Sequence, residues 1–189
     1  MSTKPKILFD PYFRTVDEVL SPADRARLFD MYDVVWGKDD PMPLDEVEAC
    51  IADVEVIVCA DWRYGDLLYK AENLRAVLTI SGGFPLELDY DYCHQNYIRV
   101  VSAAPSFARQ VAEMSLAMAL AASREVTYGD LLMRQGNEEY LHEGNHTTFM
   151  LYGQTVGIIG YGSIARELHR LMVPFDVDVL AYDPWLADG

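Results

Sequence analysis

Cationic side chains are scarce. The 189 residues carry 15 Lys and Arg against 30 Asp and Glu, a formal charge of −15. No basic cluster offsets that field, which argues against a nucleic acid or an anionic membrane surface as a partner. Cysteine is scarcer still. Cys50, Cys59 and Cys93 are odd in number, lack CxxC spacing and sit in apolar or helical surroundings. They read as reduced core thiols of a cytoplasmic protein. The opening MSTKPKILFDPYF lacks the apolar core of a signal peptide, and no run approaches the roughly 18 apolar residues of a membrane span. There is no repeat of fixed period and no low-complexity tract. What is present is a globular composition, 51% hydrophobic, sufficient for one or two domains with real cores.

The first hundred residues alternate between two periods. Short apolar runs at Lys6 to Phe9, Val34 to Trp36, Val54 to Ala60, Ala76 to Ile80 and Ile98 to Ser102 predict strands. Between them, Ser21-Pro22-Ala23-Asp24 opens a helix with an N-cap, a proline at its first position and an acid in its first turn. Leu44, Val47, Cys50 and Ile51 share a second helical face. Leu67, Leu68 and Leu74 mark helical turns, and Leu88 to Gln95 a further helix. Five strands alternating with helices predict an open parallel α/β sheet ordered 2-1-3-4-5 over residues 1–103, a flavodoxin-like arrangement.

Ligands of such sheets bind beyond the carboxyl ends of the strands. Two loops qualify there. Asp61-Trp62-Arg63-Tyr64 follows the third strand and offers Arg63, while Ser81-Gly82-Gly83 follows the fourth and offers backbone N–H groups to a carboxylate. Taken singly, an ordinary turn and a solvated arginine account for these residues equally well.

Ala103-Ala104-Pro105 interrupts the alternation and marks a domain boundary or hinge. Beyond it, Phe107 to Arg124 forms a long helix whose apolar and small residues nearly encircle it, the pattern of a helix buried in a core or a subunit interface. Glu113 within it reads as paired or at the boundary. His142-Glu143-Gly144-Asn145-His146 matches HExxH, whose chemistry needs two histidines one helical turn apart. Gly144-Asn145 at its centre reads as a loop, so no metal is expected. His94 and His169 stand alone on predicted helices and read as surface or packing residues.

The most informative stretch runs from Thr155 to Asp183. An apolar β-branched run, Thr155 to Ile159, meets Gly160-Tyr161-Gly162-Ser163-Ile164-Ala165 without a linker, and an amphipathic helix follows until Pro174. Val177 to Tyr182 predicts a second strand, closed by Asp183. In this order the residues suit a dinucleotide. Gly160 permits the tight turn, Gly162 lets backbone approach a pyrophosphate, and Ala165 lets the helix pack closely. The N–H groups of Gly160, Tyr161, Gly162, Ser163 and Ile164 surround an anion at a helix N-terminus, and Asp183 meets the adenosine ribose. A carboxylate there repels a 2′-phosphate, so NAD is expected over NADP.

The segment Gly153 to Ala165, with Ala181-Tyr182-Asp183-Pro184, resembles the D-isomer-specific 2-hydroxyacid dehydrogenases. Pro105, Gln110-Val111-Ala112-Glu113 and Arg124 resemble that family's hinge and first Rossmann helix, and Asp89 through Ile98 its preceding helix and strand. The resemblance covers essentially the whole chain. It implies a flavodoxin-like substrate domain at 1–103 and part of a Rossmann domain at 104–189, with helix 107–124 and an arm at 128–151 pairing two subunits as a homodimer. It implies an NAD-dependent oxidoreductase acting on a small 2-hydroxy or 2-keto acid, with Arg63, Ser81, Gly82 and Gly83 toward that substrate.

Two departures from the family pattern stand out. Phe84 and Leu86 occupy positions where the family's substrate loop carries a glycine and an aspartate. The family's catalytic arginine, acid and histidine come from sequence beyond the second Rossmann strand, so no residue here is assigned a catalytic role. The expectation is a truncated portion of a dehydrogenase, inactive alone, with 155–189 disordered or held by a partner chain. A non-catalytic NAD-binding or dimerising module, like the family's corepressors, is the alternative.

Overall fold

The computed structural model describes residues 4–141 and 147–186, which divide after Ala104 into two compact units. In the first, β1 (Lys6–Asp10), α1 (Val16–Val19), α2 (Pro22–Met31), β2 (Asp33–Trp36), α3 (Leu44–Cys50), β3 (Val56–Cys59), β4 (Ala76–Thr79), α4 (Tyr90–Gln95) and β5 (Arg99–Ser102) alternate along the chain. The strands form one parallel sheet ordered β2-β1-β3-β4-β5, as the alternation predicts. Helix α2 starts where expected: Pro22 is its first residue, and the Ser21 hydroxyl accepts the Asp24 N–H at 3.2 Å.

Both faces of this sheet are covered, which is why its strands read as unbroken apolar runs. Leu8, Ile57 and Val77 join Val47, Ile51 and Leu88 in the larger core. Ile7, Phe9 and Val58 join Val16 and Ile80 in a smaller one, against which Leu28 of α2 packs. Each such fully buried side chain contributes roughly 1.5–3 kcal/mol.

Local capping trims the expected boundaries. A 3₁₀ turn at Ile51–Asp53 draws in the Val54 N–H, so β3 begins only at Val56. The Asp89 carboxylate accepts the Tyr92 N–H at 2.8 Å, which starts α4 at Tyr90 rather than Leu88.

The second unit contains α5 (Ala108–Ser123), α6 (Val126–Gln135), β6 (Thr155–Ile159), α7 (Ser163–Met172) and β7 (Asp178–Tyr182). Strands β6 and β7 pair in parallel, from Thr155 opposite Asp178 to Ile159 opposite Tyr182. The expectation of disorder or partner support for 155–189 is corrected here for its described part: α7 packs against α5, which gives the βαβ unit a covered side within its own chain. Helix α5 is not buried all round. Ala108 and Ala112 are buried, whereas Val111, Met114 and Met118 are exposed, with α7 the main element packed on α5 among the described residues. Glu113 is exposed as well.

Helix α6 begins two residues before the arm expected at 128–151 and fills the first part of it, a helix the sequence pattern does not predict. It is entered through Glu125 at φ +50° and left through Gly136 at φ +66°. Val156, Ile158 and Val179 are half-buried, while Ile159, Leu180 and Tyr182 are exposed, so one face of the β6-β7 pair is open. The His142 to His146 motif lies outside the described residues. Among the described residues no group of three His, Cys, Asp or Glu could hold a metal ion, and no helix is long and apolar enough to cross a membrane.

Candidate functional site

At the end of β6 the chain reverses sharply, and Gly160 adopts φ +83°, a conformation that a Cβ disfavours. Gly162 is the N-cap of α7 and no side chain caps that helix. The N–H groups of its first turn therefore have no intrahelical acceptor and face outward with the positive end of the helix dipole. A Cβ built on Gly160 or Gly162 meets no atom within 4 Å. The turn thus opens onto free space that a bound anion can enter. Ser163 and Ile164 are exposed at this helix start, and Ala165 is buried beneath it.

Asp183 stands beside the turn. Its Oδ2 accepts the Tyr161 N–H at 2.7 Å and its Oδ1 accepts the Trp185 N–H at 2.9 Å. These two hydrogen bonds, Trp185 first, hold the carboxyl below the usual carboxylate range, and the charge of Arg166 adds to them. The carboxylate is ionised at neutral pH. Its depressed pKa favours the folded state above the unfolded value, and that contribution is lost as pH falls through the folded one. Four lone-pair sites on the carboxylate leave acceptor capacity for two hydroxyl donors.

The first unit has its own polar cluster at the carboxyl ends of β1 and β3, where the strand order changes direction. Asp10, the last residue of β1 and 1% exposed, was not singled out from the sequence. Arg63 donates to Asp10 Oδ2 through Nε at 3.1 Å and through Nη2, and Nη2 also donates to the Met42 carbonyl. The Tyr64 hydroxyl donates to the same Oδ2 at 2.9 Å. A guanidinium has five N–H bonds. Three are spent here, so Arg63 presents only Nη1 outward and has no two-nitrogen fork for a carboxylate.

The Ser81-Gly82-Gly83 loop follows β4. Thr79 Oγ1 donates to the Gly83 carbonyl at 2.9 Å and Ser102 Oγ to the Ser81 carbonyl at 3.2 Å. These bonds hold carbonyls toward the sheet, while Gly82 and Gly83 are exposed with open space before them. The structure thus places Arg63 and the glycine loop on the same sheet end. A polar residue closing the apolar run of β1 was the available signal for Asp10.

Burial and the Asp10 charge push the Cys59 thiol up to about 12 and raise the Tyr64 phenol as well. Cys59 is then neutral in the folded protein where an unfolded thiol ionises, so stability falls as pH rises above about 9 toward 12. Cys93 is also buried, whereas Cys50 is partly accessible. Under native conditions iodoacetamide is expected to label Cys50 well before Cys59 and Cys93. Peptide mass mapping checks that order, and equal labelling of all three would contradict it.

A strand, a glycine turn opening a helix and a second strand closed by a carboxylate follow one another in the order of a dinucleotide-type βαβ unit. Residues 116–188 match the family model of the D-isomer specific 2-hydroxyacid dehydrogenase, NAD binding domain. The chain is 29% identical over 177 residues to D-3-phosphoglycerate dehydrogenase of Mycobacterium tuberculosis, covering 91% of this chain and 32% of that protein. It is 31% identical over 156 residues to glyoxylate reductase of Aeropyrum pernix, covering 79% of this chain and 46% of that one. The crystal structure of a phosphoglycerate oxidoreductase from Rhizobium etli superposes with a TM-score of 0.81 at 26% identity, over 97% of this chain and 57% of that one. These matches make the chain similar to D-isomer-specific 2-hydroxyacid dehydrogenases, and residues 116–188 to their NAD binding domain. The chain spans about a third to a half of the length of these curated relatives.

Proposed function

We propose that the protein is an NAD-dependent oxidoreductase acting on the CH–OH group of a small 2-hydroxy acid, or in reverse on the 2-keto acid. The observation that carries this reading is the Gly160-Tyr161-Gly162 turn with Asp183 hydrogen-bonded beside it. When bound, the nicotinamide supplies a hydride acceptor or donor at C4. The part of this chain in that chemistry is to bind and orient. The N–H groups of Gly162, Ser163 and Ile164 take the diphosphate, because those of Gly160 and Tyr161, expected there too, are spent on the Tyr182 carbonyl and Asp183 Oδ2 at 2.7 Å each, and Asp183 takes the adenosine ribose hydroxyls and repels a 2′-phosphate, favouring NAD over NADP. Gly82 and Gly83 offer N–H groups to the substrate carboxylate, with Ser81 and the single free nitrogen of Arg63 beside them. No residue of this chain is assigned the proton transfer.

Exposed Val111, Met114 and Met118 on α5 and Leu131 and Met133 on α6 give the apolar surface that a homodimer would cover. The test is NADH oxidation by the intact protein, followed by absorbance with a panel of 2-keto acids including glyoxylate and hydroxypyruvate, the latter two chosen from the relatives' names. Turnover with one or more acids is expected, faster with NADH than with NADPH. Tight NADH binding without turnover would instead favour a non-catalytic dinucleotide-binding module.

A further inference from the structure

Tyr161 is the one residue of the glycine turn with a side chain, and it is held at four points. Its N–H donates to Asp183 Oδ2 at 2.7 Å, and its carbonyl accepts from Arg166 Nε at 3.2 Å. The Arg166 guanidinium also lies over its ring, 5.7 Å from the centroid. Its hydroxyl meets His169 Nδ1 at 2.5 Å. Arg166 and His169 are three residues apart on α7 and so lie on one helical face. The turn is therefore strapped to its own helix through a residue whose backbone N–H is already committed to Asp183.

Such a strap has a physical use. Tyr161 is flanked by Gly160 and Gly162, and glycine loses more conformational freedom on ordering than any other residue. An unstrapped turn would bear that ordering cost at the moment of binding, whereas a strapped one bears it on folding. We propose that His169 is a positioning residue of the nucleotide site, acting through the Tyr161 hydroxyl to keep the glycine turn in its anion-accepting shape. This rests on the reading of 160–165 as the dinucleotide site. His169 touches neither nucleotide nor substrate in this scheme. Its ring faces Tyr161, with Arg166 on the same helical face.

The experiment is a double-mutant cycle on the intact protein, read as the NADH dissociation constant by fluorescence titration. Y161F and H169A are each expected to weaken NADH binding about 3- to 10-fold, the equivalent of one net hydrogen bond. The Y161F/H169A double variant is expected to be no weaker than either single one, because both remove the same interaction. H169N, whose amide oxygen sits where Nδ1 was, is expected to recover most of the affinity, with thermal midpoints unchanged throughout. Unaltered affinity in both single variants, multiplying effects in the double, or losses that track the thermal midpoint would overturn the proposal. A wild-type protein that binds no NADH would remove the nucleotide reading itself, whereas wild-type binding with unaltered variants would remove only the role of His169.

Discussion

Replacing Gly162 by valine is expected to abolish measurable NADH binding, by about 100-fold or more, while leaving the fold intact. Gly162 has φ −79° and ψ −159°, an extended conformation open to any residue, and a Cβ there meets nothing within 4 Å. The cost to the chain is the poorer helix N-cap, about 1 kcal/mol at most. The cost to a ligand is large, because the branched side chain fills the space through which the backbone N–H groups approach a diphosphate. Gly160 separates the two effects. Its φ of +83° makes Gly160→Ala costly to the fold itself, by about 1–2 kcal/mol. Calorimetric titration with NADH alongside urea unfolding reads both quantities. Wild-type affinity in G162V would mean that the ligand does not sit at this turn.

The second large effect concerns the first unit. Arg63→Met is expected to destabilise the protein by about 3 kcal/mol or more, since removing one partner strands a buried charge. The Asp10 side chain has no exposure, Arg63 keeps about a quarter of its own, and Asp10 Oδ1 has no partner among the described residues. Among the described residues, Tyr64 would be the one hydrogen-bond donor left on that carboxylate. The double variant D10N/R63M is expected to regain most of the loss, because a neutral amide in the same place carries a far smaller desolvation cost. Urea midpoints measured at constant slope decide this. An R63M variant as stable as the wild type would show that Arg63 is not the counter-charge that holds Asp10 inside.

Much of the fold is legible in the amino-acid sequence. The runs at Lys6 to Phe9 and Ala76 to Ile80 are apolar on both faces because two cores flank the sheet, and Ser21-Pro22 caps α2 by short-range chemistry alone. The glycine turn was legible for the same reason: its spacing is dictated by one strand, one turn and one helix in immediate succession. What stayed hidden depends on pairs far apart in the chain. Asp10 and Arg63 are 53 residues apart, and no local pattern joins them. Tyr161 and His169 lie eight residues apart across a change of structure, where helical spacing gives no guide. Helix α6 was obscured by Gly129 and by entry through a left-handed Glu125. The exposure of Met114 and Met118 was illegible because hydropathy marks a face as apolar without saying what covers it.

The central claim is that residues 160–165 and Asp183 hold the adenosine diphosphate half of a nicotinamide dinucleotide. Calorimetric titration of the intact protein with ADP-ribose, which lacks the nicotinamide, tests it most directly. Saturable binding that competes with NADH, and at least about tenfold weaker binding of the 2′-phosphorylated analogue because of like-charge repulsion at Asp183, is the result the account predicts. No heat with ADP-ribose, or equal affinity for both compounds, would contradict it.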